Sequence, residues 1–165
     1  MNDIRYRTAI HEAGHAVTAI CLGLRPVVIQ LETDTKGWTE VHADGPLPVD
    51  RLREQTYRSY CTTACAGNAA VRHVVSQEAA DAELADQPDL AIVDRERAQH
   101  WAKCVIQLTG EPIEVVVAAA QAEVGELFKN TGIDEAIRRV ADALLAAGGV
   151  LEETAIRVAF DDVGP

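Results

Sequence analysis

Apolar positions crowd the start of the chain. From Ala9 to Leu24 the only polar side chains are His11, Glu12, His15 and Thr18. This run predicts a helix over residues 3–23, with Asn2 or Asp3 as its cap and Gly23 near its end. A helix that is apolar on every side is a buried helix. After Pro26 the pattern changes to VVIQLET, whose β-branched residues predict a strand. DTKG at 34–37 reads as a turn, and WTEVHA alternates as a second strand should. A sheet of two or three strands with antiparallel pairing follows.

DGPLP at 44–48 is a breaker, and beyond it the pattern is helical. The spacing predicts one long helix over 49–75, a short one near 76–85, one from Pro88 to Leu108 and one over 112–129. Asn130 to Gly132 reads as a turn. Ile133, Ala136, Ile137, Val140, Ala141, Leu144 and Leu145 then form a helical stripe closed by Gly148-Gly149, and a last helix is expected over 151–161. The expected fold class is α+β: a mainly helical domain with a small β-sheet next to the first helix. A length of 165 residues suits a single domain over 1–165.

Composition sharpens this picture in three ways. Aromatic residues are only 4 % of the chain, so the core is expected from Ala, Val, Leu and Ile. A net charge of −11 argues against a nucleic-acid surface and against docking on an anionic membrane. The apolar N-terminal run is too short to span a bilayer and is interrupted by His11, Glu12 and His15, and no basic leader with a small-residue cleavage site is evident. A cytoplasmic location is expected. Cys21, Cys61, Cys65 and Cys104 form no CxxC pair, and buried free thiols are the expected state.

The chemistry is concentrated in HEAGH at 11–15. Residues four apart lie on one face of a helix, so His11 and His15 can aim ring nitrogens at a single ion. Zn²⁺ suits such a pair and keeps a position open for water. Glu12, beside the ion, can take a proton from that water and pass it to a leaving amine. Two imidazoles and a carboxylate in an otherwise apolar helix would cost several kcal/mol if left without partners, and a metal removes that cost. Gly14 points the same way, because a mid-helix glycine usually marks close packing. The competing reading is a chance HExxH whose polar groups are satisfied in the core.

A catalytic zinc needs a third protein ligand. Leu90, Asp94, Ala98, Trp101, Val105 and Leu108 form an apolar helical stripe with one charge, Asp94, inside it. A charge on a core-facing stripe needs a partner. Asp94 is therefore the candidate third ligand, with pairing to Arg97 or Arg72 as the alternative. Asp89 sits in the first turn, where a carboxylate has an ordinary dipole-stabilising role, and Asp86 is a plausible cap. His100 is expected at the surface, His73 half-exposed, and His42 on a strand that can line a cleft.

With these residues in place, the sequence resembles the protease domain of the FtsH family of zinc metallopeptidases. TAIHEAGHAVTAI is similar to that family's metal helix. PVVIQLETDTKGWTEV is similar to the two strands that follow, with Gly37-Trp38-Thr39 matching a Gly-aromatic-Thr element. CAGNAAVRHV resembles the segment AGRAAEEL, and DRERAQHWAKCVI resembles NDLxxATxxAxxMV, a register that places Asp94 on the family's metal-binding aspartate. ALLAAGGVLEETAIRV is like the C-terminal region. The chain departs from the family at Asn68, Val71 and Arg72, and Gln87-Pro88-Asp89 replaces the usual Gly-Ala. These departures fall where the support of the metal ligands is expected.

The resemblance implies a zinc-dependent endopeptidase with His11, His15 and Asp94 as ligands and Glu12 as general base. It also implies that substrate lies as an extended strand along residues 26–43. Unfolded or flexible polypeptides are the expected substrates, because no GxxxxGK[ST] loop is present. A separate ATPase or adaptor partner has no signature in the chain, and oligomeric state stays open, a homo-oligomer included. Two rivals are a non-catalytic peptide- or protein-binding module on a zinc-stabilised fold, and a regulatory peptidase that cuts one dedicated partner.

Overall fold

A computed structural model of the chain describes residues 3–45 and 50–161, with the side chains of residues 50 and 51 outside the description. The N-terminal helix α1 runs Ile4–Cys21. Asp3 caps it, its side chain accepting a hydrogen bond from the Arg5 N–H; the alternative cap, Asn2, lies outside the described residues. Every residue from Arg7 to Ala19 is buried, as the all-round apolar pattern requires.

Two long strands follow, β1 (Leu24–Thr33) and β2 (Lys36–Ala43), and they pair antiparallel. The ladder begins two residues before Pro26, and a register shift between Pro26 and Val28 accommodates the missing N–H of that proline. A third strand, β3 (Val150–Glu152), pairs antiparallel with the other side of β1, giving the order β2-β1-β3. The sequence predicted the last helix from residue 151. Instead, Gly148 and Gly149, both at positive φ, turn the chain so that Leu151 is buried in the core and the helix starts at Glu153. Three residues are too few to show a strand period.

The predicted helix over 49–75 is two helices, α2 (Asp50–Ala64) and α3 (Ala66–Val74). Val49, with the rest of 46–49, lies outside the described residues, including most of the expected breaker. The chain breaks at Cys65, next to a Thr63 carbonyl that accepts a hydrogen bond from a side chain of α1. Such side-chain insertion into a helical ladder is a recognised cause of kinks. The helices α4 (Gln77–Asp86), α5 (Pro88–Thr109), α6 (Ile113–Leu127), α7 (Ile133–Ala146) and α8 (Glu153–Asp161) complete the fold. The α+β class with a small sheet beside the first helix is therefore what the structure has.

Two apolar clusters hold these elements. One gathers α1, α3, α4, α7, β1, β3 and α8 around Ile10, Ile29, Ile137 and Ile156. The other joins α2, α5 and α6 through Cys61, Ala98, Val105 and Val116. Alanine dominates where helices approach most closely. A Cβ on Gly14 would collide with the Ala70 Cβ on α3 and lie 3.2 Å from the Ala66 carbonyl oxygen. Gly14→Ala is thus expected to cost about 1–3 kcal/mol through overpacking, despite alanine's better helix propensity. A urea melt that shows the variant equal to or more stable than the parent would refute this.

Some details depart from expectation. Cys21 is exposed, Cys65 and Cys104 are half-buried, and only Cys61 is fully buried; all four are free thiols. Cys21 is the last residue of α1, beyond its buried stretch. On α5, Leu108 is exposed, because the stripe leaves the core as the helix nears its end at Thr109. Asp86 does not cap α5; it accepts an ion-paired hydrogen bond from the buried Arg7 (2.8 Å). Among the described residues no helix is long and apolar enough to cross a membrane.

Candidate metal centre

The site lies at the seam between the two apolar clusters, where α5 reaches across to α1. His11 and His15, one turn apart, present their rings edge to face with centroids 4.9 Å apart. Asp94 comes from the second turn of α5. Its Oδ2 lies 2.9 Å from His11 Nε2 and 3.3 Å from His15 Nε2. Each of the three residues offers one ligand atom, and these atoms lie within 4.8 Å of one another. The three candidate ligands named from the sequence therefore meet in space. The alternative partners of Asp94 do not, since neither Arg97 nor Arg72 pairs with it.

The hydrogen bonds around the rings fix what the cluster can hold. His15 Nδ1 lies 2.7 Å from the Thr63 carbonyl oxygen. A carbonyl only accepts, so Nδ1 carries the proton and the Nε2 of a neutral ring is a bare lone pair. That Nε2 is buried and has no hydrogen-bond partner. His11 Nδ1 faces Glu83 Oε2 at 3.1 Å, in ion-pair range although outside hydrogen-bond geometry. A proton on Nδ1 again leaves Nε2 as a lone pair, aimed at the Asp94 carboxylate. Two ring lone pairs converging on a carboxylate repel each other unless a proton or a cation sits among them. The donor set therefore fits a divalent metal ion.

The same geometry shifts the ionisations. Burial is the largest influence on His11 and would push it down, but Asp94 and Glu83 outweigh it and hold the ring well above an ordinary histidine. His15 is likewise raised, burial being overcome chiefly by Asp94. Asp94 is held well below the usual carboxylate range: burial opposes this, and the two histidines prevail. Raised histidines bind protons at higher pH, and each proton must leave before a metal can bind. As pH is lowered, metal affinity is therefore expected to begin falling before the ordinary histidine value of 6.5 is reached, and to fall more steeply below it. Competition with a chromophoric chelator between about pH 5 and 8 measures this, and a flat profile would contradict it.

Glu12 is buried beside the ligands and is raised by that burial, partly offset by His11, His15 and Thr39. Thr39 on β2 lies with its hydroxyl 2.8 Å from Glu12 Oε2 and 3.1 Å from the Glu12 carbonyl oxygen. Gly37 makes room for the same side chain: a Cβ there would sit 2.7 Å from Glu12 Cγ. Gly67 on α3 does the equivalent for His11, because a Cβ would run into the imidazole ring. The Gly-Trp-Thr element and the AGNAA segment are thus the walls that seat the general-base candidate and the first ligand.

Glu83 is the main residue that the sequence reading missed. It is only 1 % exposed and receives a hydrogen bond from Asn68 Nδ2 at 3.0 Å. Asn68 is one of the departures noted in the sequence, and here it ties Glu83 to its place behind His11. A signal was present: Ala80, Glu83 and Gln87 share one face of α4 and its C-cap, and a carboxylate on an alanine-rich face needs a reason. Glu83→Gln is expected to weaken metal affinity about 10–100-fold, the usual effect of losing a carboxylate behind a ligating histidine. Metal titration of the purified variant reads this directly, and unchanged affinity would remove Glu83 from the site.

Two cavities flank the cluster. One, of about 720 Å³, is lined by His15, Trp38, Thr39, Tyr60 and Trp101. The other, of about 1110 Å³, reaches Asp94 from the α3–α5–α6 side. His100 lines the first and is exposed, as expected; His73 lines the second and is exposed rather than half-exposed; His42 bonds Glu40 (2.7 Å) on the exposed face of β2 and lines neither. No protein-family model matches the chain, and comparison with curated proteins finds no relative.

Proposed function

We propose that this protein is a zinc-dependent endopeptidase with an FtsH-like site, hydrolysing peptide bonds in unfolded or flexible polypeptides. One observation carries the reading: ligand atoms of His11, His15 and Asp94 converge within 4.8 Å of one another while a buried Glu12 lies beside them, interacting electrostatically with all three. A purely structural metal has no use for that fourth group. His11, His15 and Asp94 would hold the zinc, two imidazole nitrogens and a carboxylate oxygen being a donor set that suits this ion. Bound there, zinc would supply Lewis acidity to the scissile carbonyl and make a water easier to deprotonate.

The chain's own groups do the rest. Glu12 accepts the proton of the attacking water as its oxygen bonds to the carbonyl carbon. The same carboxyl then donates that proton to the amide nitrogen as the C–N bond breaks. A carboxyl with a raised pKa suits both halves of this cycle. Thr39 keeps one Glu12 oxygen fixed, leaving the other for the proton. Glu83 and the Thr63 carbonyl hold the two imidazoles so that their Nε2 atoms face inward.

Strand β1 pairs with β2 along most of its length and with β3 at Val28–Gln30, so among the described strands β2 is an edge strand of the sheet. That edge borders the cavity containing His15 and Thr39. An extended polypeptide adding to β2 gains backbone hydrogen bonds with little sequence choice. A segment must be free of its own secondary structure to do so, which is why flexible chains are the proposed substrates. Incubating zinc-loaded protein with a mixture of unstructured peptides, and reading new termini by mass spectrometry, tests the proposal. Internal cuts that disappear with chelator support it; intact peptides after zinc loading count against it.

A further inference from the structure

We infer that the larger cavity selects acidic substrate segments, holding a carboxylate between Arg72 and Arg95; that its occupant is a polypeptide rests on the peptidase reading. The cavity of about 1110 Å³ has an apolar lining that includes Leu84, Ile113, Val117 and Phe128, and it opens at Asp94, the candidate ligand. Arg72 on α3 and Arg95 on α5 stand on its wall from different helices. Both are exposed, and neither forms an ion pair with another described residue. Arg72 makes one long hydrogen bond, to Asn68 Oδ1 at 3.3 Å.

The chain has 26 acidic and 15 basic residues. Arginines 5, 7, 25, 58, 139 and 157 have carboxylate partners, and among the described residues Arg97 and Arg138 join Arg72 and Arg95 in having none. With acids in such excess, two arginines left without one beside the site are available to a ligand. Lys129 also lines the cavity but is paired with Glu126. Glu114 is the one acidic residue of the lining besides Asp94, whose charge the metal would offset. The balance of the wall is therefore positive, opposite to the net charge of the molecule. Guanidinium groups bind carboxylates through paired N–H donors, and the apolar lining accepts neighbouring side chains. The fitting segment carries Asp or Glu next to bulky apolar residues, close to the bond that is cut.

Binding is measured on the zinc-loaded Glu12→Gln protein, with labelled leucine-containing peptides that differ only in Glu or Gln at one position. The Glu peptide is expected to bind about tenfold more tightly, the scale of a hydrogen bond to a charged group. The double variant Arg72→Gln/Arg95→Gln is expected to erase that difference and leave the Gln peptide's affinity unchanged. Arg95→Glu is expected to favour a Lys peptide. Both positions are exposed, and circular dichroism confirms that the variants fold. Equal binding of Glu and Gln peptides to the parent, no binding of either, or a preference that survives the double variant would each overturn the inference. Cleavage of the same peptides by the Glu12-intact protein separates the two ideas: cutting without acid preference removes this inference alone, and acid-selective binding without cutting removes the peptidase reading alone.

Discussion

Glu12→Gln is expected to lower peptide cleavage by about 10²–10⁴-fold while leaving zinc content unchanged, the range over which a positioned acid–base group contributes. The substitution keeps the shape of the side chain and its ability to accept from Thr39, whose hydroxyl lies 2.8 Å from Glu12 Oε2. It removes the basic oxygen. Glu12 is not one of the three candidate ligands, so the metal site is not expected to collapse. The decisive comparison is zinc stoichiometry against cleavage rate in one preparation. A variant that keeps zinc and still cuts at the parent's rate would rule Glu12 out as the base. The companion change Thr39→Val leaves the carboxylate in place and removes only its tether, so it is expected to slow cleavage less.

The second large effect is the loss of the metal. Chelation is expected to lower stability by about 2.7 kcal/mol relative to protein in zinc at a hundredfold excess over its dissociation constant. For a chain of this size that is a fall in melting temperature on the order of 5–10 °C. The stabilisation is one of mass action: zinc would bind the folded arrangement of His11, His15 and Asp94, which the unfolded chain lacks. Asp94→Ala is expected to abolish tight binding, so its melting temperature should no longer respond to zinc or chelator. Differential scanning fluorimetry with metal analysis decides the matter. If Asp94→Ala still binds zinc with the parent's affinity, the third ligand lies elsewhere.

Both predictions rest on groups named from the sequence before any geometry was in hand. HEAGH is legible because helical spacing places two histidines on one face wherever a helix forms, and the apolar run around them guarantees burial. Asp94 is legible as a charge on an apolar stripe. Glu83 was harder to see, since its face is built from small alanines with little hydrophobic contrast. The break at Cys65 has no proline to announce it. It occurs beside a long-range hydrogen bond, from His15 to the Thr63 carbonyl, which no local pattern encodes.

Local periodicity alone determined most of this protein: the buried first helix, the β1–β2 pair, the order of the later helices, and the residue types able to hold a metal. Tertiary structure decided which of those residues meet. It brought Asp94 to the histidines across two apolar clusters, placed Glu83 and Asn68 behind His11, and left β2 at the edge of the sheet by adding β3 to the other side of β1. The physical reason is one of range. Secondary structure follows from interactions within a few residues, which a sequence displays directly. A metal site is a convergence of side chains 83 positions apart, and only the packing of α5 against α2 fixes where that convergence occurs.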